Sequence, residues 1–479
     1  MSRRWIRASI LASQSTWGAA STGGLADPGN EHGLADANGY RTDVLQALKD
    51  LNYPDCRYPG DGLGRKNSVR VGLELAWLTE ESNHSGTDEF IQWCRLPWAL
   101  SPTSVPQHGG ALVRSEDALA WLEYCNSSAN THYANMCRKN GHPEPYGVKY
   151  WALGNEMTAE DYSKTAYQWA KALRLLDPSI KLISCGETGF ADWDRVTLKT
   201  LAPVVDFHSI HLYTVSEGNH DVNVMGPAAA EKGIEITKSL IELAKIEGKL
   251  TKDITVCFDE WNVWDPVRAP GEKGAEEHYD LSDALGEYKA VASWLNVFVR
   301  KADIVKIACI AQSVNVISPI ITSPTGLFKQ TTYYPLQLFA TLMQGTALSA
   351  RRRRRARGRH LHRPHRPTFR CPSQRAHASA ARLTKWIDAS AVLSPSKTEI
   401  RLAVVNRHQT RAFDVPIAFG PDARVAPRLV VHEVWSPQLG DRNGFEGEKV
   451  KTVERKVDAW DGVYQCKEHS FQVLVFTLL

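Results

Sequence analysis

Apolar and polar residues follow two different patterns along the chain. From about residue 40 to residue 312, apolar runs of strand length alternate with stretches of helical periodicity, as in parallel strands covered on both faces. The strand candidates are Val148–Leu153, Ile180–Cys185, Val204–Leu212, Ile254–Phe258 and Ile304–Ile310. The helix candidates are Thr42–Leu51, Ser115–Cys125, Thr158–Leu176, Glu231–Glu247 and Leu281–Arg300. This repetition predicts a (β/α)8 barrel. A doubly wound sheet is less favoured, because no glycine-rich phosphate loop follows a strand candidate.

The second pattern begins after about residue 335, where the apolar runs become short, β-branched and partly alternating. Pro and Gly separate these runs, which predicts an antiparallel β-sandwich. Its strand candidates are Thr398–Asn406, Arg411–Phe419, Leu429–Trp435 and Ser470–Leu479. The predicted organisation is a poorly defined segment 1–39, a catalytic barrel over 40–335 and a sandwich over 336–479.

Residues 351–382 fit neither predicted domain. They hold 12 Arg and no acidic residue or Lys, so the formal net charge of +4 becomes −8 without them. The rest of the chain is therefore acidic, which argues against a general nucleic-acid-binding surface. The Arg351–Arg355 run predicts disorder, with a nuclear-localisation or RNA-binding tract as the alternative. We favour an out-of-frame or mis-spliced origin for this stretch.

Composition excludes further classes of protein. No apolar run reaches the roughly 18 residues that a membrane span needs. The N-terminus carries no clear secretion signal, so we predict a cytoplasmic protein, with secretion as the alternative. The nine Cys form no CxxC pair, so neither a zinc ribbon nor a dithiol motif is indicated. We predict no metal and no cofactor, and a homo-oligomer is left open.

Two carboxylates follow apolar strand candidates. Glu156 ends the stretch Tyr150–Glu156, and Glu260 follows Ile254–Phe258. The carboxyl ends of barrel strands share one face, so the two acids can converge there. Glycoside cleavage uses such a pair, because one carboxyl protonates the leaving oxygen while the other attacks the anomeric carbon. Either acid alone could be a helix cap or a surface charge, but the pair favours a glycosidase.

Two histidines lie near these acids in the predicted barrel. His208 and His211 have no matching third ligand in the sequence pattern, so a metal site is less favoured. Asn155, directly before Glu156, has the chemistry to hydrogen-bond a sugar 2-hydroxyl.

Four segments together resemble glycoside hydrolase family 51, the α-L-arabinofuranosidases. Gly154–Met157 and Asp259–Trp264 resemble its two active-site motifs, and Gly86–Phe90 and Gln312–Ile317 are similar to other family segments. The resemblance implies a (β/α)8 barrel with an accessory β-sandwich. It also implies retaining hydrolysis of terminal non-reducing α-L-arabinofuranosyl groups, as found on arabinoxylan and arabinan, without a cofactor.

The resemblance also implies roles for single residues. Glu156 matches the acid/base and Glu260 the nucleophile. The positions that hold the sugar match Asn155, Tyr213 and Gln312. Arg57 matches a barrel arginine near the nucleophile, with a structural ion pair as the alternative.

The sequence departs from the family's pattern at five places. These are Met1–Gly23, the residues after Gly60, Leu96–Val113, the residues after Met157, and 351–382. Leu96–Val113 stands where a barrel strand is expected, and Met1–Gly23 shows no family-like strand. Apparent loop deletions at these places leave two alternatives open: another clan A glycosidase such as a xylanase, or a catalytically degraded, non-enzymatic product.

Overall fold

A computed structural model of the 479-residue chain describes most of its length. The described residues are 3–4, 9–13, 30–54, 56–58, 72–74, 79–81, 86–98, 105–106, 115–156, 160–215, 219–264, 287–315, 317–349, 386–420 and 423–479. All five predicted departures lie wholly or mainly outside these residues. Of Met1–Gly23 only 3–4 and 9–13 are described, and of Leu96–Val113 only 96–98 and 105–106.

The strands fall into a barrel set and a sandwich set. In chain order they are β1 Arg3–Arg4, β2 Ser9–Ser13, β3 Cys56–Tyr58, β4 Gly72–Glu74, β5 Thr79–Glu81, β6 Val105–Pro106, β7 Tyr150–Ala152, β8 Lys181–Ser184, β9 Phe207–Val215, β10 Thr255–Trp264, β11 Val305–Ala311, β12 Ile320–Ser323, β13 Gly326–Lys329, β14 Thr346–Leu348, β15 Ile387–Leu393, β16 Glu399–Asn406, β17 Phe413–Pro416, β18 Val425–Val434, β19 Thr452–Val457, β20 Val463–Cys466 and β21 Ser470–Leu478.

The helices lie between these strands. They are α1 Thr42–Leu51, α2 Thr87–Trp98, α3 Ser115–Asn126, α4 His132–Lys139, α5 Glu160–Leu176, α6 Asp192–Leu201, α7 His220–Met225, α8 Pro227–Glu247, α9 Glu287–Arg300 and α10 Tyr333–Leu342. Among the described residues, no helix is both long and apolar enough to cross a membrane. The eight described cysteines are all buried thiols.

Eight parallel strands build the barrel in the order in which the chain supplies them. The sheet runs β6-β3-β2-β11-β10-β9-β8-β7, and β6 lies beside β7, which brings the two ends of the sheet together. The predicted (β/α)8 barrel is confirmed, and each of the five predicted barrel strands overlaps an observed one.

Two barrel strands come from segments where the sequence pattern indicated none. Ser9–Ser13 pairs in parallel with β11 and β3, so part of the segment 1–39 belongs to the barrel sheet. Val105–Pro106 pairs with Arg57 and Tyr58 of β3, within the stretch Leu96–Val113. Hydroxyl residues break the apolar pattern of the first strand, and two residues are too few to give the second a period.

The barrel interior is filled by small and medium apolar side chains. Ala152, Ile183, Cys257, Ile307 and Cys309 form one buried cluster contributed by four strands. The opposite side of β10 faces outward, because side chains alternate along a strand. There the ring of Phe258 packs edge-on against Trp294 and Phe298 of α9, with ring centroids 5.5 and 5.4 Å apart.

The sandwich follows the barrel and confirms the second predicted architecture. An antiparallel sheet of order β1-β14-β15-β16-β21-β18-β19 packs against a two-stranded antiparallel sheet formed by β17 and β20. On β21, Val473 joins the core shared with the barrel, whereas Leu474 and Phe476 join the sandwich core. Period-two alternation thus lets one strand bury both its faces.

A buried polar network joins the two domains across α9. Asp388 of β15 lies 3.0 Å from Arg300 Nη1 and 3.1 Å from Arg407 Nη2, and it accepts a hydrogen bond from Asn296 Nδ2 at 2.9 Å. Arg300 in turn pairs with Glu231 of α8 at 2.9 Å. Because these charges are mutually compensated, their burial at the junction is tolerated.

Candidate active site

A β-bulge in β10 turns two consecutive acids toward the barrel interior. Cys257 and Glu260 pair with Ser209 and His211 of β9, so three steps along β10 match two steps along β9. In a regular strand the side chains of Asp259 and Glu260 would point to opposite faces. The extra residue in β10 cancels that alternation, and both carboxylates contact groups of the same site.

Glu260 is held at both carboxylate oxygens. Arg57 Nη1 donates to Oε1, and the Tyr213 hydroxyl donates to Oε2 at 2.8 Å. The Glu260 side chain is 12% exposed, so it can be reached from the barrel mouth while its charge is compensated. Burial and then the nearby charge of Glu260 raise the pKa of the Tyr213 phenol well above its usual value, which keeps it a hydrogen-bond donor.

Arg57 and Asp259 form the buried floor of the site. Arg57 Nε lies 3.4 Å from Asp259 Oδ2, and neither side chain exceeds 2% exposure. Burial acts to raise the pKa of Asp259, but the nearby charges of Arg57 and His211 and the Ser209 hydroxyl outweigh it and bring the pKa to about 2. Arg57 therefore takes both roles that the sequence left open, an ion-pair partner and a neighbour of Glu260.

Glu156 lies just beyond β7, opposite Glu260. Its backbone adopts φ 49°, in the left-handed region that favours glycine, and its side chain is 60% exposed. The hydrogen bond to His211 is the main cause of a lowered pKa of this carboxyl. Oxygen atoms of Glu156 and Glu260 lie within 4.8 Å of each other, so the structure brings the two predicted acids together.

His211 connects the acids of the site. Its Nδ1 lies 3.2 Å from Glu156 Oε1 and 3.6 Å from Glu260 Oε2, and its Nε2 lies 3.3 Å from Asp259 Oδ1. Burial acts to lower the pKa of His211, but Glu260 and Asp259 overcome it and raise the pKa to about 10.

From the sequence, His211 was weighed only as a metal ligand. Ser209, His211 and Tyr213 nevertheless follow the two-residue period of one strand face. Since Tyr213 was already a candidate, that period was the signal that could have identified His211.

The other predicted residues occupy different positions. Asn155 Oδ1 accepts a hydrogen bond from Arg57 Nη2 at 2.9 Å, which places Asn155 in the site. Gln312 is buried directly after β11, next to the Ala311 carbonyl that receives Asn262 Nδ2 at 2.6 Å. Gln312 thus lies at the carboxyl end of a barrel strand, and its contact with a sugar stays a prediction.

The described residues contain one group with the composition of a metal site, namely Glu156, His211 and Glu260. A metal ligand must offer a free lone pair, whereas His211 with a pKa of about 10 carries protons on both ring nitrogens at neutral pH. A cation could therefore bind at this group only by displacing a proton from the imidazole.

Two further family-like segments have structural contacts. In Gly86–Phe90, Asp88 accepts hydrogen bonds from the hydroxyls of Tyr124 and Tyr146, both at 2.6 Å, and so ties α2 to the segment around α3 and α4. In Gln312–Ile317, Asn315 Oδ1 accepts from Thr322 N at 2.8 Å and fixes the hairpin of β12 and β13. These contacts shape the scaffold around the site.

Comparisons with known proteins agree with this geometry. A family model described as the alpha-L-arabinofuranosidase C-terminal domain matches residues 259–470, and a model of the alpha-L-arabinofuranosidase 1 domain matches residues 60–223. A probable alpha-L-arabinofuranosidase C of Aspergillus flavus is 45% identical over 488 residues, covering 94% of this chain and 91% of the relative. An intracellular exo-alpha-(1->5)-L-arabinofuranosidase of Halalkalibacterium halodurans is 32% identical over 82% of this chain and 80% of its own length.

A solved structure gives the same result for the fold. The α-L-arabinofuranosidase of Thermotoga maritima, crystallised as an arabinose complex, superposes with a TM-score of 0.78 at 27% identity, covering 100% of this chain and 98% of the other. A (β/α)8 barrel whose two facing carboxylates lie this close together has the arrangement of a retaining glycoside hydrolase. Within that class, the chain belongs to glycoside hydrolase family 51, the α-L-arabinofuranosidases.

Proposed function

We propose that this chain removes terminal non-reducing α-L-arabinofuranosyl groups from arabinose-containing polysaccharides by double displacement. The observation that carries the proposal is the approach of Glu156 and Glu260 to within 4.8 Å at the barrel mouth. This spacing suits retention, for which the carboxyl groups lie about 5–5.5 Å apart, and leaves too little room for the water that inversion places between them.

The two acids differ in the way that the two steps require. Glu260 is nearly buried and is held by Arg57 and Tyr213, so its carboxylate is fixed for attack on the anomeric carbon. Glu156 is more exposed and lies at the open side, where a departing sugar oxygen and then a water molecule can reach it. In this mechanism Glu260 forms the arabinosyl ester, and Glu156 first protonates the leaving oxygen and then deprotonates water.

Paired alanine variants test these roles. Glu260→Ala should abolish release of an aryl arabinofuranoside with a good leaving group. Glu156→Ala should lose about 10²–10⁴-fold on an arabino-oligosaccharide but much less on the activated substrate, which needs little protonation. Glu247→Ala, at the exposed end of α8, is the control. Equal losses in both active-site variants on both substrates would refute the assignment.

A panel of polysaccharide substrates determines which polymer the enzyme prefers. Arabinoxylan, debranched xylan and arabinan separate the proposal from the xylanase alternative: released arabinose with an intact xylan backbone supports the proposal, and shortened xylan chains contradict it. A proton NMR spectrum should show that the sugar released first keeps the anomeric configuration that it had in the substrate.

The location of the protein is a separate proposal. We propose a cytoplasmic location, supported by the eight described cysteines, which are buried thiols. Fractionation of cells expressing the native chain tests it, and activity confined to the culture medium would contradict it.

A further inference from the structure

Both ring nitrogens of His211 face acceptors. Nε2 lies 3.3 Å from an oxygen of Asp259, and Nδ1 lies 3.2 Å from an oxygen of Glu156. An ionised carboxylate only accepts hydrogen bonds, and a neutral imidazole has a single N–H to donate. While both carboxylates are ionised, the two contacts are satisfied together only when His211 carries protons on both nitrogens.

The charged surroundings of His211 come from four elements. β10 presents Asp259 and Glu260, the segment after β7 presents Glu156, and Arg57 of β3 reaches both acids of β10. On β9 itself, Tyr213 donates to the carboxylate of Glu260. Three carboxylates thus surround two cations, Arg57 and the imidazolium, and this excess of negative charge holds the proton on His211.

The resting site therefore has its mobile proton on the histidine. The hydrogen bond from His211 lowers the pKa of Glu156, and the pKa of His211 itself is about 10. At neutral pH Glu156 is then an ionised carboxylate, which cannot protonate a leaving group unless it first gains a proton.

We propose that His211 is a positioning residue that stores the catalytic proton on Nδ1 and passes it to Glu156 as Glu260 bonds to the sugar. The inference rests on the proposed hydrolase function and adds the origin of its proton. Asp259, on the opposite side of the ring, fixes the orientation that aims Nδ1 at Glu156.

The proton balance closes over one turnover. In the first step the N–H bond at Nδ1 breaks, an O–H bond forms on Glu156, and that proton moves to the leaving oxygen as the glycosidic bond breaks and the Glu260 ester forms. His211 is then neutral. In the second step Glu156 takes a proton from water, the hydroxide oxygen displaces Glu260 from the anomeric carbon, and the proton returns to Nδ1.

Two physical changes drive this transfer in the right order. Ester formation removes the negative charge of Glu260, which lies 3.6 Å from Nδ1, and so weakens the hold of His211 on its proton. A bound sugar covers the exposed carboxylate of Glu156 and raises its affinity for a proton through desolvation. Both changes are reversed when the ester is hydrolysed.

A titration by NMR tests the stored proton without any turnover. The full chain is labelled with ¹⁵N in its histidine rings, and the His211 signal is assigned by its loss in His211→Gln. We expect His211 to remain doubly protonated to about pH 10, and its midpoint to fall by about one to three pH units in Glu260→Gln. Glu247→Gln serves as the matched control. A midpoint near 6.5 in the native chain, or one unmoved in Glu260→Gln, overturns the inference.

Kinetics give the second test. In His211→Gln, the alkaline limb of kcat/KM for an arabino-oligosaccharide should move down by about one pH unit or more, whereas an activated aryl arabinofuranoside should be far less affected. His132→Gln, an exposed site on α4, controls for loss of a histidine.

The two tests separate this inference from the proposed function. An active chain with an unmoved alkaline limb refutes the stored proton alone. A native chain that releases no arabinose refutes the proposed function, while the NMR titration still decides the state of His211.

Discussion

Replacing Arg57 by methionine would remove the central cation of the site and keep most of its volume. The change leaves Asp259 and Glu260 without their guanidinium partner, in a place where Arg57 and Asp259 are at most 2% exposed. Buried carboxylates cannot recover this loss from water, because burial disfavours the charged form. We therefore expect both a loss of stability and a loss of activity.

The expected loss of stability follows from the burial of the ion pairs of Arg57. Removal of one partner from a buried pair costs about 3–5 kcal/mol. The ion pair of Arg428 and Asp458, at 3.0 Å, serves as the comparison because its side chains are 59% and 79% exposed. Exposed pairs contribute about 0–1 kcal/mol. Since Arg428→Met removes only such an exposed pair, it should be much less harmful than Arg57→Met.

Urea unfolding followed by tryptophan fluorescence measures the two losses side by side. Arg57→Met should lower the free energy of unfolding by about 3 kcal/mol or more, and Arg428→Met by about 1 kcal/mol or less. Arg57→Met with Asp259→Asn should recover part of the loss, since one uncompensated charge is removed with its partner. Similar losses in the two single variants would refute the reasoning.

Two further predictions concern stability. The pKa of His211 is raised from 6.5 to about 10, which corresponds to a contribution of about 5 kcal/mol at most to the free energy of unfolding. This contribution is fully present below pH 6.5 and is lost as the pH rises through 10. Unfolding curves of the native chain should show this decline between those values, and a decline equally steep in His211→Gln would contradict it. Gly345→Ala should cost about 2 kcal/mol or more, because its φ is +134° and a Cβ would lie 2.0 Å from the Leu393 carbonyl oxygen. In the matched Gly326→Ala a Cβ meets nothing within 4 Å, so an equal fall in melting temperature for both would argue against this steric account.

The sequence allowed the barrel and its two acids to be predicted because both depend on local patterns. Near-continuous apolar runs identified the central strands, and the acids directly follow two of them. The apolar pattern did not predict β2 and β6, because these segments form strands through their pairing partners and not through their own residues. Parallel pairing of Ser9–Ser13 with β11 and β3 is a non-local contact that a single-sequence pattern does not contain.

The chemistry of the site was only partly visible in the sequence for a similar reason. Asp259 directly precedes Glu260, and ordinary strand alternation would turn it away from the site. The bulge that reverses this is a property of the register between β9 and β10. Without Asp259 in the site, nothing in the sequence indicated that His211 would lie between two acids.

The backbone at Glu156 shows what the site asks of the fold. A side chain with φ 49° occupies a conformation that glycine and asparagine adopt at lower cost. Selection for stability alone would thus favour a different residue at position 156. The glutamate at this position therefore keeps an unfavourable backbone conformation because its carboxylate is needed for catalysis. A substitution that stabilises the fold at residue 156 should also abolish catalysis.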